Sequence, residues 1–153
     1  MRIHDDNNRN NAMARRLLAV ALATASIAAQ AATEHVTVYQ TPACGCCTNW
    51  VGHLRQSGFN ITARVMSDVS PIKDKYLVPG ALRSCHTSVI GGYVIEGHVP
   101  ADAIRRLLRE RPRAAGLAEP GMPQSAPGMD NPGQPYDVML FTSSGQSKLY
   151  ERR

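Results

Sequence analysis

Three of the chain's four cysteines fall within Cys44-Gly45-Cys46-Cys47, directly after Thr41-Pro42. Sulfur this dense constrains what can form around it, because the adjacent side chains of Cys46 and Cys47 are badly placed to pair with each other. Before the cluster, His35 to Gln40 alternates polar and apolar residues of β-branched type and reads as a strand. After it, Trp50, Val51 and Leu54 recur at helical spacing and Gly58 stops the pattern. The cysteines therefore lie where a strand turns into a helix. Unsatisfied backbone N–H groups and the helix dipole at such a terminus favour a thiolate, and the thiolate is the form that binds metals or attacks disulfides.

Further along, Ile61 to Met66 is a second strand candidate, followed by a short helical stretch from Pro71 to Leu77 and a break at Val78-Pro79-Gly80. A β-α-β unit of this kind implies parallel pairing. Thr87 to Ile90 and Tyr93 to Glu96 flank Gly91-Gly92 and read as a β-hairpin. Asp102 to Glu110 is an amphipathic helix with Ile104, Leu107 and Leu108 turned inward. Pro112 to Pro135 is rich in proline and glycine and reads as one long loop; Tyr136 to Thr142 and Gln146 to Glu151 form a closing hairpin.

The N-terminal residues differ in composition. Arg15-Arg16 precede an uncharged run from Leu17 to Ala32, and Ala29-Gln30-Ala31 fits a small-x-small cleavage pattern. The apolar core is too short to span a bilayer, so residues 1–31 read as a secretory signal peptide and 32–153 as one mature domain. The expected product is periplasmic and free of the membrane. Without residues 1–31 the count is 13 basic against 10 acidic residues, so the formal charge of +5 falls to +3 and a nucleic-acid partner loses its main support. The arginines at 105, 106, 109, 111 and 113 read as a solvated basic face or a docking face for a partner. No phosphate loop, paired-carboxylate site or serine–histidine signature points to a hydrolase. Export sets an oxidising compartment, where free thiols need a reason to survive.

The order β-α-β followed by β-β-α resembles that of thioredoxin, whose first βα junction carries Cys-Gly-Pro-Cys. Here Cys44-Gly45-Cys46-Cys47 keeps the spacing and the glycine and places a third cysteine where the proline would be. Where thioredoxins carry a cis-proline segment, this chain has Cys85-His86-Thr87. That loss weakens a reading as a disulfide-exchange enzyme and adds a fourth sulfur. In such a fold the strand from Thr87 starts at the cysteine end, and its hairpin partner returns Gly97-His98 to the same end. Cys44, Cys46, Cys47, Cys85, His86 and His98 are thus expected to converge. Soft thiolates select Cu(I), zinc or iron–sulfur clusters, imidazoles and thioethers tilt the choice toward copper, and three thiolates so close suit sulfur-bridged, polynuclear copper. Met122 and Met129, in two Pro-Gly-Met copies, are further candidate ligands. His53, two helical turns from the cluster, cannot share its ion and reads as solvated; His35 reads as incidental.

The segments "TPACGCCTNWVGHLRQSGF", "SCHTSVIGGYVIEGHVPADAIRRLL" and "GLAEPGMP…APGM" resemble a family of small exported metal-binding proteins, long described as a domain of unknown function, that includes the CopG-type copper-resistance proteins. The resemblance spans about Val36 to Leu140. It implies a periplasmic, thioredoxin-like copper protein that binds or interconverts Cu(I) and Cu(II), with a copper efflux or carrier protein as partner. Two rival readings share these residues. One is a thiol–disulfide oxidoreductase using Cys44 and Cys47; the other is a carrier that holds copper without changing its oxidation state.

Overall fold

Strand β1 (His35–Gln40) buries Val36, Val38 and Gln40 on alternate positions, as its sequence alternation requires. The computed structural model describes residues 34–129, 131 and 133–153; the expected signal peptide lies outside them. Helix α1 (Gly45–Gln56) turns Cys47, Trp50, Val51 and Leu54 inward, and its chain leaves through Gly58 at φ +86°. Strand β2 (Asn60–Val65) then pairs parallel with β1 in the register His35 to Asn60 through Gln40 to Val65. Helix α2 (Ser70–Lys75) is closed by Leu77 in the left-handed region, two residues beyond its last turn. A single 3-10 turn (Gly80–Leu82) follows.

Strands β3 (Thr87–Ile90) and β4 (Tyr93–Glu96) form the expected hairpin, with Gly91 and Gly92 both at positive φ. β3 runs antiparallel to β1, pairing Tyr39 with Thr87, so β3 begins at the end of the sheet where β1 runs out into the cysteines. Helix α3 (Ala101–Glu110) then crosses the sheet and ends at Arg111 in the left-handed conformation. Strand β5 (Gly116–Ala118) pairs parallel with β4, and β6 (Asp137–Phe141) and β7 (Ser147–Arg152) complete a seven-stranded sheet in the order β2-β1-β3-β4-β5-β6-β7.

β5 corrects the expectation of one loop from Pro112 to Pro135. Three residues are too few to show a period, yet they bridge the closing hairpin to the rest of the sheet. Gly116 is needed there because a side chain would run into the backbone of Val94.

Both faces of the sheet are covered. Tyr93 and Ile95 join Trp50, Leu54, Ile104 and Leu107 in the larger core, while Val94, between them in β4, joins Val78, Leu82, Ala118 and Phe141 in a second. The architecture is thus α/β, with the expected βαβ and ββα orders in place. The basic residues of α3 are less free than their spacing suggests. Arg106 lies 3.7 Å over the Tyr150 ring and pairs with Glu151, and Arg105 donates to the Ser57 carbonyl and covers the Phe59 ring. No helix among the described residues is long and apolar enough to cross a membrane.

Candidate metal centre

The turn from β1 into α1 sets the first three sulfurs. Cys44 N–H donates to the Thr41 carbonyl and Gly45 N–H to the Ala43 carbonyl, which bends the chain so that Cys44 becomes the N-cap of α1. Cys44 and Cys47, one helical turn apart, are joined as a disulfide with their Cα atoms 5.3 Å apart. This is the pairing that a C-x-x-C spacing at a helix start allows. Cys46 and Cys85 are free thiols, and the Cys46 sulfur lies 3.6 Å from that of Cys44. No acidic side chain stands in the first turn of α1 to compete for its positive end.

The antiparallel register of β3 against β1 brings in the fourth. The sulfurs of Cys44, Cys46, Cys47 and Cys85 all lie within 4.8 Å of one another. Burial, then the neighbouring Cys46, push the Cys85 thiol above its ordinary pKa. A second group shares Cys47 with the first: the ligand atoms of Cys47, His86 and His98 also lie within 4.8 Å of one another. Strand β4 supplies this closure, since Gly97 N–H donates to the His86 carbonyl and leads straight into His98. Gly97 has φ +74°, and a side chain there would strike the Glu119 carbonyl and Ser84.

Both imidazoles are fully buried. His86 lies with its ring centroid 4.4 Å from that of Trp50 and 5.1 Å from that of His98. Neither of its ring nitrogens has a hydrogen-bond partner among the described residues. Burial, followed by the charges of His98 and Lys73, holds its pKa well below the usual histidine value. His86 is therefore a neutral imidazole with a lone pair to offer, the state a metal requires. The His98 Nδ1–H donates to the Pro127 carbonyl at 2.7 Å, which leaves the ring lone pair on Nε2.

A buried carboxylate brackets the Cys85-His86 dipeptide. Glu96 Oε1 accepts from the Ser84 backbone N–H at 2.6 Å, and its Oε2 accepts from the Thr87 hydroxyl at 2.7 Å. Lys73, 5% exposed, pairs with Glu96 at 2.5 Å and also donates to Thr87 Oγ1. Burial keeps the Glu96 carboxyl above its ordinary pKa even with Lys73 beside it. Neither residue is among the candidates the sequence offers: Lys73 lies in a short polar helical stretch and Glu96 at the end of an apolar strand.

The methionine loop closes over this end. Met122 places its Sδ 3.1 Å from the Cys85 sulfur. For Met129 the structure shows a backbone turn, its N–H donating to the Ala126 carbonyl, and no sulfur contact of the kind Met122 makes. Gly128 explains how the second copy packs: a side chain there would collide with the Trp50 backbone, and its carbonyl accepts from the Asn49 side chain at 3.3 Å. Of the other histidines, His35 is exposed at the far end of β1. His53 corrects the expectation of a solvated residue: it is half-buried, and its Nε2 accepts the Ala101 N–H at the start of α3.

Glu119 is a further titratable group that sequence reasoning missed; its signal is its place in "GLAEPGMP". It is fully buried, and burial pushes its pKa up to about 7, with the His98 backbone N–H pulling the other way. A carboxyl raised in the fold contributes stability below its unfolded value of 4.5 and loses it as pH climbs through about 7. The Glu119→Gln variant should therefore be more stable than the parent at pH 8 by on the order of 2 kcal/mol and close to it at pH 4. Thermal melts at the two pH values check this.

The comparisons with known proteins agree with this geometry. A family model described as "Protein of unknown function, DUF411" matches residues 82–129, the segment carrying Cys85, His86, His98 and the methionine loop. No curated protein matches the chain. Two solved structures, described as "Copper resistance protein copG- Form 1" and "Copper resistance protein copG- Form 2", superpose with TM-scores of 0.75 and share 40% identity. Each match covers 80% of this chain, with 98% of the first structure and 99% of the second. On that identity and coverage, the chain belongs to the family of CopG copper resistance proteins.

Proposed function

We propose that the protein is an exported copper-binding protein of copper resistance, with residues 1–31 removed and 32–153 kept as one thioredoxin-like domain in the periplasm. Copper is held by the thiolates of Cys44, Cys46, Cys47 and Cys85, with His86 and His98 at the buried end. Four sulfurs of which none is more than 4.8 Å from another favour a shared, sulfur-bridged arrangement over one enclosed ion. Thiolates stabilise Cu(I), and the two imidazoles would accommodate Cu(II), so one-electron cycling within the site is part of the reading. A periplasmic efflux or carrier protein would supply or collect the metal.

The observation that carries this reading is His86. A fully buried imidazole with no hydrogen-bond partner for either nitrogen is costly in an apolar interior, by about 1–3 kcal/mol per unsatisfied group. A metal shared with Cys47 and His98 would satisfy one of the two nitrogens.

A second reading is favoured by the Cys44–Cys47 disulfide, which is the oxidised state of a thiol–disulfide oxidoreductase. The two readings separate on one comparison. If copper is the cargo, the disulfide must first accept two electrons from a thiol reductant, since its sulfurs offer no thiolate. Reduced protein should then take up copper stoichiometrically and oxidised protein should not. If exchange is the activity, metal-free protein should reduce insulin and keep doing so in the Cys85→Ser variant. Insulin reduction without stoichiometric copper uptake would overturn the copper reading.

A further inference from the structure

Met122 holds a left-handed backbone away from any helix end. It is one of three non-glycine residues at positive φ among those described, at +50°. That conformation costs a residue with a Cβ about 1–2 kcal/mol. Arg111, another of the three, has an ordinary reason, since it caps α3. Met122 lies outside every helix and strand, and it is 36% exposed, one of four large hydrophobic side chains left in water among the described residues. Gly121 before it is also at positive φ, so two successive residues turn the chain back. The turn holds the thioether 3.1 Å from the Cys85 sulfur.

The ligands form a gradient behind it. Cys85, Cys46 and Cys44 are half-buried, and Cys47, His86 and His98 are fully buried. Met122 is the outermost sulfur, and a strained backbone keeps it there.

We infer that Met122 is the port of the site: its thioether takes Cu(I) from solvent first and passes it to Cys85. The inference rests on the copper reading above and adds a route to it. A thioether has no proton to lose and cannot be tied up in a disulfide, so it is open to Cu(I) at any pH in an oxidising compartment. A thiol must shed its proton to bind. In the hand-over the ion on Met122 Sδ forms a bond to Cys85 Sγ as the thiol proton leaves to solvent, and the bond to Sδ then breaks. Copper stays Cu(I) throughout, so no electron donor or acceptor is needed. At 3.1 Å the two sulfurs can share the ion during the exchange.

The test uses full-length reduced protein and Cu(I) supplied as its coloured bicinchoninate complex, followed by stopped-flow absorbance. A port changes the rates in both directions equally and leaves the equilibrium alone. Met122→Leu and Met122→Gly should therefore each slow both uptake and back-transfer by about tenfold, equivalent to raising the barrier by about 1.4 kcal/mol. Copper content and affinity should stay at the parent's values, and Met129→Leu should leave the rates unchanged. The glycine variant removes the sulfur while relieving the strained φ, so slowing there cannot come from a misfolded turn. Unchanged rates in both Met122 variants would overturn the inference, as would faster release with lower copper content, which would mark Met122 as a resident ligand. If the parent itself takes up no Cu(I), the copper reading fails and the port with it.

Discussion

Serine in place of Cys46 is expected to remove the stoichiometric copper complex while leaving the fold standing. Cys46 is half-buried, belongs to neither apolar core cluster and takes no part in the disulfide. Its loss therefore opens no core cavity, and the stability change should stay within about 0.5 kcal/mol, the range of ordinary surface substitutions. The effect on metal is of another order. Cys46 stands on the solvent side of α1 with its sulfur 3.6 Å from Cys44, and it is within the common 4.8 Å set with Cys85, so it is the thiolate best placed to bridge the two chain segments. A serine hydroxyl is a hard, protonated oxygen and cannot replace a bridging thiolate for Cu(I). Copper per protein, measured after reduced protein has been loaded and desalted, should fall below half of the parent's. Unchanged copper content beside an unchanged melting curve would reject the cluster.

Lys73→Met should have the largest effect on stability of any substitution outside the apolar cores. The side chains of Lys73 and Glu96 are 6% and 0% exposed, so removing the ammonium leaves a carboxylate in the interior without its counter-charge. Breaking one partner of a buried pair costs about 3–5 kcal/mol. Chemical denaturation should show that loss, and the double variant Lys73→Met with Glu96→Gln should recover most of it, because two neutral partners leave no charge to bury. The same measurement bears on the metal site. The Glu96 carboxylate holds Ser84 N–H and the Thr87 hydroxyl on either side of Cys85-His86, so the Lys73 variant should also bind copper less tightly. A loss of under about 1 kcal/mol, the worth of an exposed pair, would contradict this account of Lys73.

The parts of this molecule legible in its sequence are those where one physical rule dominates. Strand alternation placed β1, helical spacing placed α1 and α3, and the Gly91-Gly92 turn placed the β3–β4 hairpin, whose strands are buried on both faces. Topology then carried the convergence of Cys85, His86 and His98 on the cluster, since an antiparallel hairpin must return its chain to the end it left. Where several rules compete, the sequence is silent. β5 is three residues long and held by Gly116 against Val94, which no periodicity reveals. Nothing in the sequence pairs Lys73, in the polar stretch Ser70–Lys75, with Glu96, the last residue of an apolar strand; the packing of α2 against the β3–β4 end buries them together. The two Pro-Gly-Met copies look alike in sequence, yet a left-handed Met122 sends its sulfur to Cys85 while Gly128 packs its copy against α1. Cys44–Cys47 pairing was one of several arrangements open to four cysteines, and the choice depends on the oxidation state of the protein's surroundings.

The central claim is that one pocket of thiolates from two distant chain segments binds copper. X-ray absorption at the copper edge, on reduced protein loaded with copper and carrying no polyhistidine tag, tests it most directly, because an added tag would supply imidazoles of its own. The account predicts scattering dominated by sulfur, with a copper–copper vector from the shared thiolates, and loss of that vector in Cys85→Ser. Scattering from oxygen and nitrogen alone, or a spectrum that Cys85→Ser leaves untouched, would contradict it.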